Sequence, residues 1–144
     1  MKKILIVNIL FFFTLFSTHA QEWLTDLDQA KTISTKENKK IILVFQGSDW
    51  CAPCIKLDKQ IWNTNKFKNY ANEHFVMLQA DFPKRKKNKL SKIQQEKNNK
   101  LAETYNKQGF FPHVVILNNK GEVLGRTGYK KITPAEYIKL LTSF

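Results

Sequence analysis

Cys51 and Cys54 are the only thiols in the chain, and Ala52 and Pro53 alone separate them. The thiolate is the reactive form of cysteine, a nucleophile toward disulfide sulfurs and a ligand for soft metals. On a helix, residues three apart lie on the same side, close enough for the two sulfurs to bond with modest adjustment. The first sulfur can then attack a disulfide in another molecule, and the second can resolve the mixed disulfide. A purely structural bridge is the competing reading. It would close a loop of about four residues and contribute roughly 2 kcal/mol before strain, less than longer loops give. Chemistry explains the pair better.

The neighbours of the pair set its reactivity. Cys51 falls at the predicted start of a helix, where free backbone N–H groups and the positive dipole end favour an anion. Lowering its pKa from about 8.5 toward 7 requires about 2 kcal/mol of differential stabilisation, within reach of those effects combined. Pro53 has no N–H and so withdraws one donor from the thiolate. A less stabilised thiolate disfavours the dithiol form and pushes the couple toward a reductant.

The elements that hold this segment can be read on both sides of it. Ile41 to Phe45 is a continuous β-branched and aromatic run, suited to a strand buried on both faces. Gln46 to Asp49 joins it to the cysteines, and a helix from Ile55 to about Trp62 follows, with Leu57 and Ile61 facing the core. Upstream, Trp23, Leu24, Leu27, Ala30 and Ile33 predict one amphipathic helix to about Asn38, with Thr25 as N-cap. Downstream, Lys66 to Glu73 predicts a short helix, and Phe75 to Ala80 predicts a strand ended by Asp81 and Phe82-Pro83. Leu90, Ile93, Lys97, Leu101 and Tyr105 form the stripe of a further helix stopped by Gly109. Val114 to Leu117 and Val123 to Thr127, around the Asn118 to Gly121 turn, predict an antiparallel hairpin. Thr133 and Pro134 open a closing helix carrying Tyr137, Ile138, Leu140 and Leu141. This order predicts an α/β fold, a mixed central sheet flanked by helices.

The chain has 144 residues, 42% of them hydrophobic, with 11 phenylalanines, enough for one domain with a real core. Residues 1–20 are set apart. Lys2 and Lys3, an apolar run from Ile4 to Phe16 interrupted by Asn8, and the small residues before Ala20 have the pattern of a secretory signal peptide. The run is short of the roughly 20 residues that spanning a bilayer needs, so an uncleaved membrane anchor is the lesser alternative. The expected domain is 21–144, in the periplasm or secreted. The net charge of +12 is concentrated in a basic insertion from about residue 84 to 100, where Lys84 to Lys100 holds eight basic residues against Glu96 alone. Export argues against nucleic acid as its partner. A solvated helix face explains the patch, and contact with a membrane surface or an acidic partner is the alternative.

Trp50-Cys51-Ala52-Pro53-Cys54 after an apolar strand resembles the W-C-x-P-C site of the thioredoxin superfamily. The resemblance extends over about Lys40 to Phe144, with Asp81 ending a strand, Pro112 at the position of the family's cis-proline, Gly121 in the hairpin turn and Gly128 after the last strand. It implies a thioredoxin-like fold, Cys51 as nucleophile and Cys54 as resolving thiol. It also implies that Pro112 sits beside the cysteines and that Phe111 offers backbone groups to an extended substrate. Trp50, Ala52 and Pro53 complete the walls of the expected site. The chain departs from the family where classical thioredoxins carry a buried Asp and its partner Lys, at positions matching Phe45 and about Met77. Asp49 is then the nearest candidate for proton transfer. The lead-in from Gly47 and the basic insertion look more like exported thioredoxin-like proteins than cytosolic carriers.

These residues predict an enzyme that reduces or exchanges disulfides in envelope proteins through the Cys51/Cys54 dithiol, with no cofactor beyond that redox pair. It would draw electrons from a membrane thiol reductase. A thiol oxidase or isomerase would use the same residues in the other direction. A copper-binding carrier would take two thiolates for Cu(I), but only His74 and His113 remain as further soft ligands, and no resident metal is expected. A binding module with an incidental disulfide is the remaining reading.

Overall fold

The computed structural model describes residues 21–144; the predicted leader, with His19, lies outside the described residues. The chain runs β1 (Trp23–Leu24), α1 (Leu27–Glu37), β2 (Lys40–Gln46), α2 (Ala52–Leu57), a π-turn (Asp58–Trp62), α3 (Asn65–His74) and β3 (Phe75–Asp81). A 3₁₀ turn (Lys86–Asn88), α4 (Lys92–Tyr105), β4 (His113–Leu117), β5 (Val123–Thr127) and α5 (Pro134–Thr142) follow. The strands form one mixed sheet in the order β1-β3-β2-β4-β5. β1, β3 and β2 are parallel, while β4 runs antiparallel to both β2 and β5.

The apolar runs fill both faces of this sheet. From β2, Ile42 and Val44 point to one layer while Ile41, Leu43 and Phe45 point to the other, the period-2 alternation of a strand buried on both sides. The first layer holds Leu57, Ile61 and Trp62 after the cysteines, Phe67 and Ala71 of α3, and Tyr137, Ile138 and Leu141 of α5. The second holds Ala30 of α1 and Leu101 of α4. Where α2 ends, Asn63 N–H reaches back to the Asp58 carbonyl (2.8 Å), and the wider turn leaves both Ile61 and Trp62 enclosed. Trp62 stands edge-on to Trp23, Phe67 and Tyr137.

Three expectations change. Trp23 and Leu24 are not helical. They add a two-residue parallel strand against Met77 and Leu78, and α1 starts later, capped by Asp26, whose side chain accepts the Gln29 N–H, in place of Thr25. Pairing with β3 outweighs helical spacing here because Trp23 gains a seat on Trp62. The stripe of α4 is rotated as well: Ile93 is 70% exposed. The inward line is Gln94, Asn98, Leu101 and Tyr105, with Asn98 donating to the Asp81 carbonyl (2.8 Å) and Gln94 to Asn98 (2.8 Å). A polar anchor to the end of β3 sets the phase, and Lys97 turns outward to pair with Asp26 at 2.5 Å. Finally, Phe45 and Met77 lie in different layers, and the residue opposite Phe45 is Ala80. They are not a facing pair.

Candidate active site

The site is assembled where β2 ends. Gln46 closes the strand, and the chain turns so that the Gly47 carbonyl accepts the N–H of Trp50 (3.3 Å) and of Cys51 (2.9 Å). This turn brings the Trp50 indole over Gly47: a Cβ there would stand 2.3 Å from the ring, so no residue but glycine fits. Ser48 donates both its N–H (2.9 Å) and its hydroxyl (2.6 Å) to the Asp81 carboxylate. The ends of β2 and β3 are thereby tied across the parallel pair.

Cys51 is the N-cap of α2. Its sulfur accepts the Cys54 N–H at 3.3 Å, its carbonyl accepts the Ile55 N–H at 3.0 Å, and Pro53 occupies the second helical position. The two cysteines are joined as a disulfide with Cα atoms 5.2 Å apart. Both are nearly enclosed, at 4% and 3% exposure, whereas Ala52 and Pro53 are exposed. Placement, not access, distinguishes the sulfurs. One lies at the N-cap facing its single donor, the Cys54 N–H, the other one turn within.

Aromatic rings flank the pair. The Trp50 indole donates through Nε1 to the Phe82 carbonyl (2.7 Å) and meets Phe111 edge-on at 5.5 Å; Phe82 meets Phe111 at 5.6 Å. Lys84 Nζ lies 4.0 Å from the indole centroid, a cation over a π face. The Phe111–Pro112 peptide is cis. Behind it Gly128 gives clearance, since a Cβ there would be 3.3 Å from the Pro112 carbonyl. Phe111, the residue before the cis-proline, is thus held against the residue before Cys51.

Asp49 is tied to the loop after β3. Its carboxylate accepts the N–H groups of Lys84 (2.9 Å) and Arg85 (3.0 Å) and the Asn88 amide (2.8 Å). The Lys84 N–H foremost, then the Asn88 amide and the Arg85 N–H, hold its pKa below the ordinary carboxylate value. The basic segment is therefore fastened at its start to the residue two before Cys51. Among the described residues the buried polar side chains are Ser34, Asn98, Asn106 and His113. No carboxylate or ammonium among the described residues is enclosed.

His113 follows the cis-proline and pairs with Phe45 in register, its ring 6.1 Å from that of Phe45 and 6.1 Å from Phe110. Burial, then the charge of Arg126, hold its pKa below the usual imidazole value. His74 is exposed at the end of α3 and stacks on Tyr70 at 4.2 Å. Among the described residues no group of three or more His, Cys, Asp and Glu stands together where it could hold a metal ion. Two features emerge only in the folded chain: the contact of Gly47 with Trp50, and the placing of Arg126 on the same sheet face as His113. The glycine three residues before a tryptophan was a signal for the first; the second joins strands whose pairing fixes it.

A thioredoxin-like family model matches residues 22–119. The chain is 37% identical over 110 residues to the disulfide bond reductase DsbH of Chlamydia pneumoniae, covering 76% of this chain and 64% of that protein. It is 24% identical over 106 residues to the thioredoxin-related protein DsbJ of the same organism, covering 74% of this chain and 30% of that one. The chain thus spans less than two thirds of the length of these curated relatives. A solved structure of a DsbH oxidoreductase matches with a TM-score of 0.79 and 34% identity, covering 87% of this chain and 84% of that one. Since the family model runs from the residue before β1 into the β4–β5 turn, and a solved relative superposes over most of both chains, the chain, with its Cys51–Cys54 disulfide, belongs to the thioredoxin-like family.

Proposed function

We propose that this chain is an exported thiol–disulfide oxidoreductase that reduces or exchanges disulfides in other proteins, with Cys51 attacking and Cys54 resolving. The observation that carries the reading is the seat of Cys51. An N-cap side chain draws on the N–H groups of the second and third helical residues; here the third, Cys54, donates and the second is Pro53. One donor stabilises the thiolate less than two would, so the dithiol yields its electrons more readily. The relative described as a disulfide bond reductase supports the same direction.

In the reduced form the Cys51 thiolate attacks one sulfur of a substrate disulfide. That S–S bond breaks, one substrate sulfur leaves as a thiolate and takes a proton, and the other is held on Cys51. Cys54 then loses its proton and attacks the Cys51 sulfur. The second substrate thiolate departs and is protonated, two electrons have passed to the substrate, and the Cys51–Cys54 bond is made. Water accepts the Cys54 proton: no carboxylate is enclosed among the described residues, and the Asp49 oxygens are engaged by the 84–88 loop. Trp50, Phe82 and Phe111 wall the approach, and the backbone of Phe111 meets an extended substrate segment. An outside dithiol, of the membrane thiol reductase class, returns the electrons.

The leader pattern of residues 1–20 supports a periplasmic or secreted location; among the described residues no helix is long and apolar enough to cross a membrane. Trapping tests the mechanism. Cys54→Ser, expressed in its native envelope, accumulates partners disulfide-linked to Cys51, and Cys51→Ser accumulates none. If the two variants trap alike, the ordered two-cysteine mechanism is wrong.

A further inference from the structure

We propose that the cleft between the end of α4 and β5 is a carboxylate-binding site built on Arg126 and His113, and that it receives an acidic side chain of a polypeptide segment lying across Phe110 and Phe111. The nature of the occupant rests on the function proposed above; the site does not. His113 is 8% exposed, and its Nε2 is buried with no hydrogen-bond partner. A buried polar atom left unmatched is costly, and a ligand that matches it recovers that cost. The imidazole helps line a cleft of about 430 Å³ shared with Tyr105, Lys107, Gln108, Phe110 and Arg126.

Register explains the meeting of the two cationic groups. Arg126 pairs with Val115, so it lies on the same sheet face as His113, two residues along β4. It is exposed and makes no ion pair among the described residues. Its planar fork of donors matches a carboxylate in two places. Lys107 adds a second positive charge and Gln108 an amide, and no acidic side chain lines the cleft. Phe110 is 58% exposed and edge-on to His113, and its neighbour Phe111 touches Trp50. A segment engaged at the disulfide therefore has a continuous aromatic path to the cleft.

Binding and protonation are coupled. Burial, then the charge of Arg126, hold the imidazole pKa below its usual value, while the Tyr105 backbone acts the other way. The charged groups that line the cleft with it are Arg126 from β5 and Lys107 beyond α4, while the Tyr105 phenol is engaged elsewhere, donating to the Gly121 carbonyl at 2.8 Å. Phe45 and Phe110 carry no charge. A bound carboxylate offsets Arg126 and accepts the Nε2 proton, so binding takes up a proton and tightens as pH falls.

The test follows the His113 imidazole by NMR in the oxidised chain, where disulfide exchange does not intervene. Acetyl-Glu-Glu-amide should shift its signals saturably and raise its pKa by about one unit, and acetyl-Gln-Gln-amide should not. Arg126→Gln should weaken the acidic peptide about tenfold, and Arg126→Lys should restore part of the loss. No saturable shift, equal shifts for both peptides, or an undiminished shift in Arg126→Gln overturns the site. A shift with inorganic phosphate but none with the acidic peptide overturns the carboxylate assignment. In a second arm, a disulfide peptide carrying a nearby Glu and its Gln counterpart are reduced side by side. Arg126→Gln should lower the Glu-to-Gln ratio of kcat/KM about tenfold; an unchanged ratio overturns the polypeptide occupant. Failure to reduce either peptide would instead count against the oxidoreductase reading.

Discussion

Replacing Pro53 by alanine supplies the backbone N–H that the first turn of α2 lacks. Cys51 is the N-cap and already accepts from Cys54 at 3.3 Å, so the new donor at the second helical position would share the same sulfur. A hydrogen bond to a charged acceptor contributes roughly 1.5–3 kcal/mol, and sulfur accepts more weakly than oxygen, so the low end applies. About 1.4 kcal/mol is one pKa unit and a tenfold change in an equilibrium constant, or about 30 mV for this two-electron couple. Only the dithiol form carries a thiolate, so stabilising it makes the potential more positive. Pro53→Ala should lower the Cys51 pKa by about one unit and make the protein a weaker reductant by about 30 mV. Thiolate absorbance against pH, in a Cys54→Ser background, reads the first quantity; equilibration with glutathione buffers reads the second. The loss of proline also loosens the unfolded chain, by about 0.4–1 kcal/mol, but equally for both redox forms. An unchanged pKa with an unchanged potential would refute the account of Pro53, and a more negative potential would reverse it.

Gly47→Ala places a methyl group 2.3 Å from the Trp50 ring. The rigid indole must move, breaking its bond to Phe82 and its contact with Phe111. Overpacking of this kind costs about 1–3 kcal/mol, to be seen in thermal unfolding together with changed tryptophan emission and slower insulin reduction. Asp49→Ala frees Lys84, Arg85 and Asn88, so trypsin should cut the 84–89 segment faster while the far-UV circular dichroism stays unchanged. At α1, Asp26→Ala should cost about 1 kcal/mol through the lost cap, whereas Asp26→Asn keeps the cap and loses only the Lys97 pair, less than about 1 kcal/mol. Lys97 first, then the Gln29 N–H, depress the Asp26 pKa. Its contribution to stability is therefore complete above about pH 4 and is lost as pH falls further. Denaturant titrations of Asp26→Asn should show a shallower acid limb than the wild type; an equal slope would contradict the pairing.

Much of the frame was legible because local and tertiary signals agree. Ile41–Phe45 and Val114–Leu117 are apolar throughout because helices cover both faces of the sheet. Thr133 and Pro134 begin α5 with a capping box completed by Glu136. The cysteine segment could be placed at a helix start because a buried strand precedes it. What was missed depends on partners distant in the chain. Two residues such as Trp23 and Leu24 cannot declare a strand until Met77 and Leu78 stand beside them. Ile93 looks like core until Asn98, a polar residue, is found holding Asp81. Phe45 falls in β2 as its apolar run implies, but only pairing reveals that Ala80, and not Met77, lies opposite it. Asp49 illustrates the same limit, since its hydrogen-bond donors come from a loop 35 to 39 residues away.

The brevity of β1 bears on how this protein avoids sticking to copies of itself. An open flank of β3 would offer unpaired backbone groups to any passing strand. β1 covers only Met77 and Leu78 and is itself too short to template a neighbour. Beyond it the Asp81 carbonyl is occupied by the Asn98 side chain from α4. The helix that follows the basic loop thus also seals the sheet margin, so loosening α4 would expose a site for intermolecular β-pairing as well as disturb the neighbourhood of the cysteines.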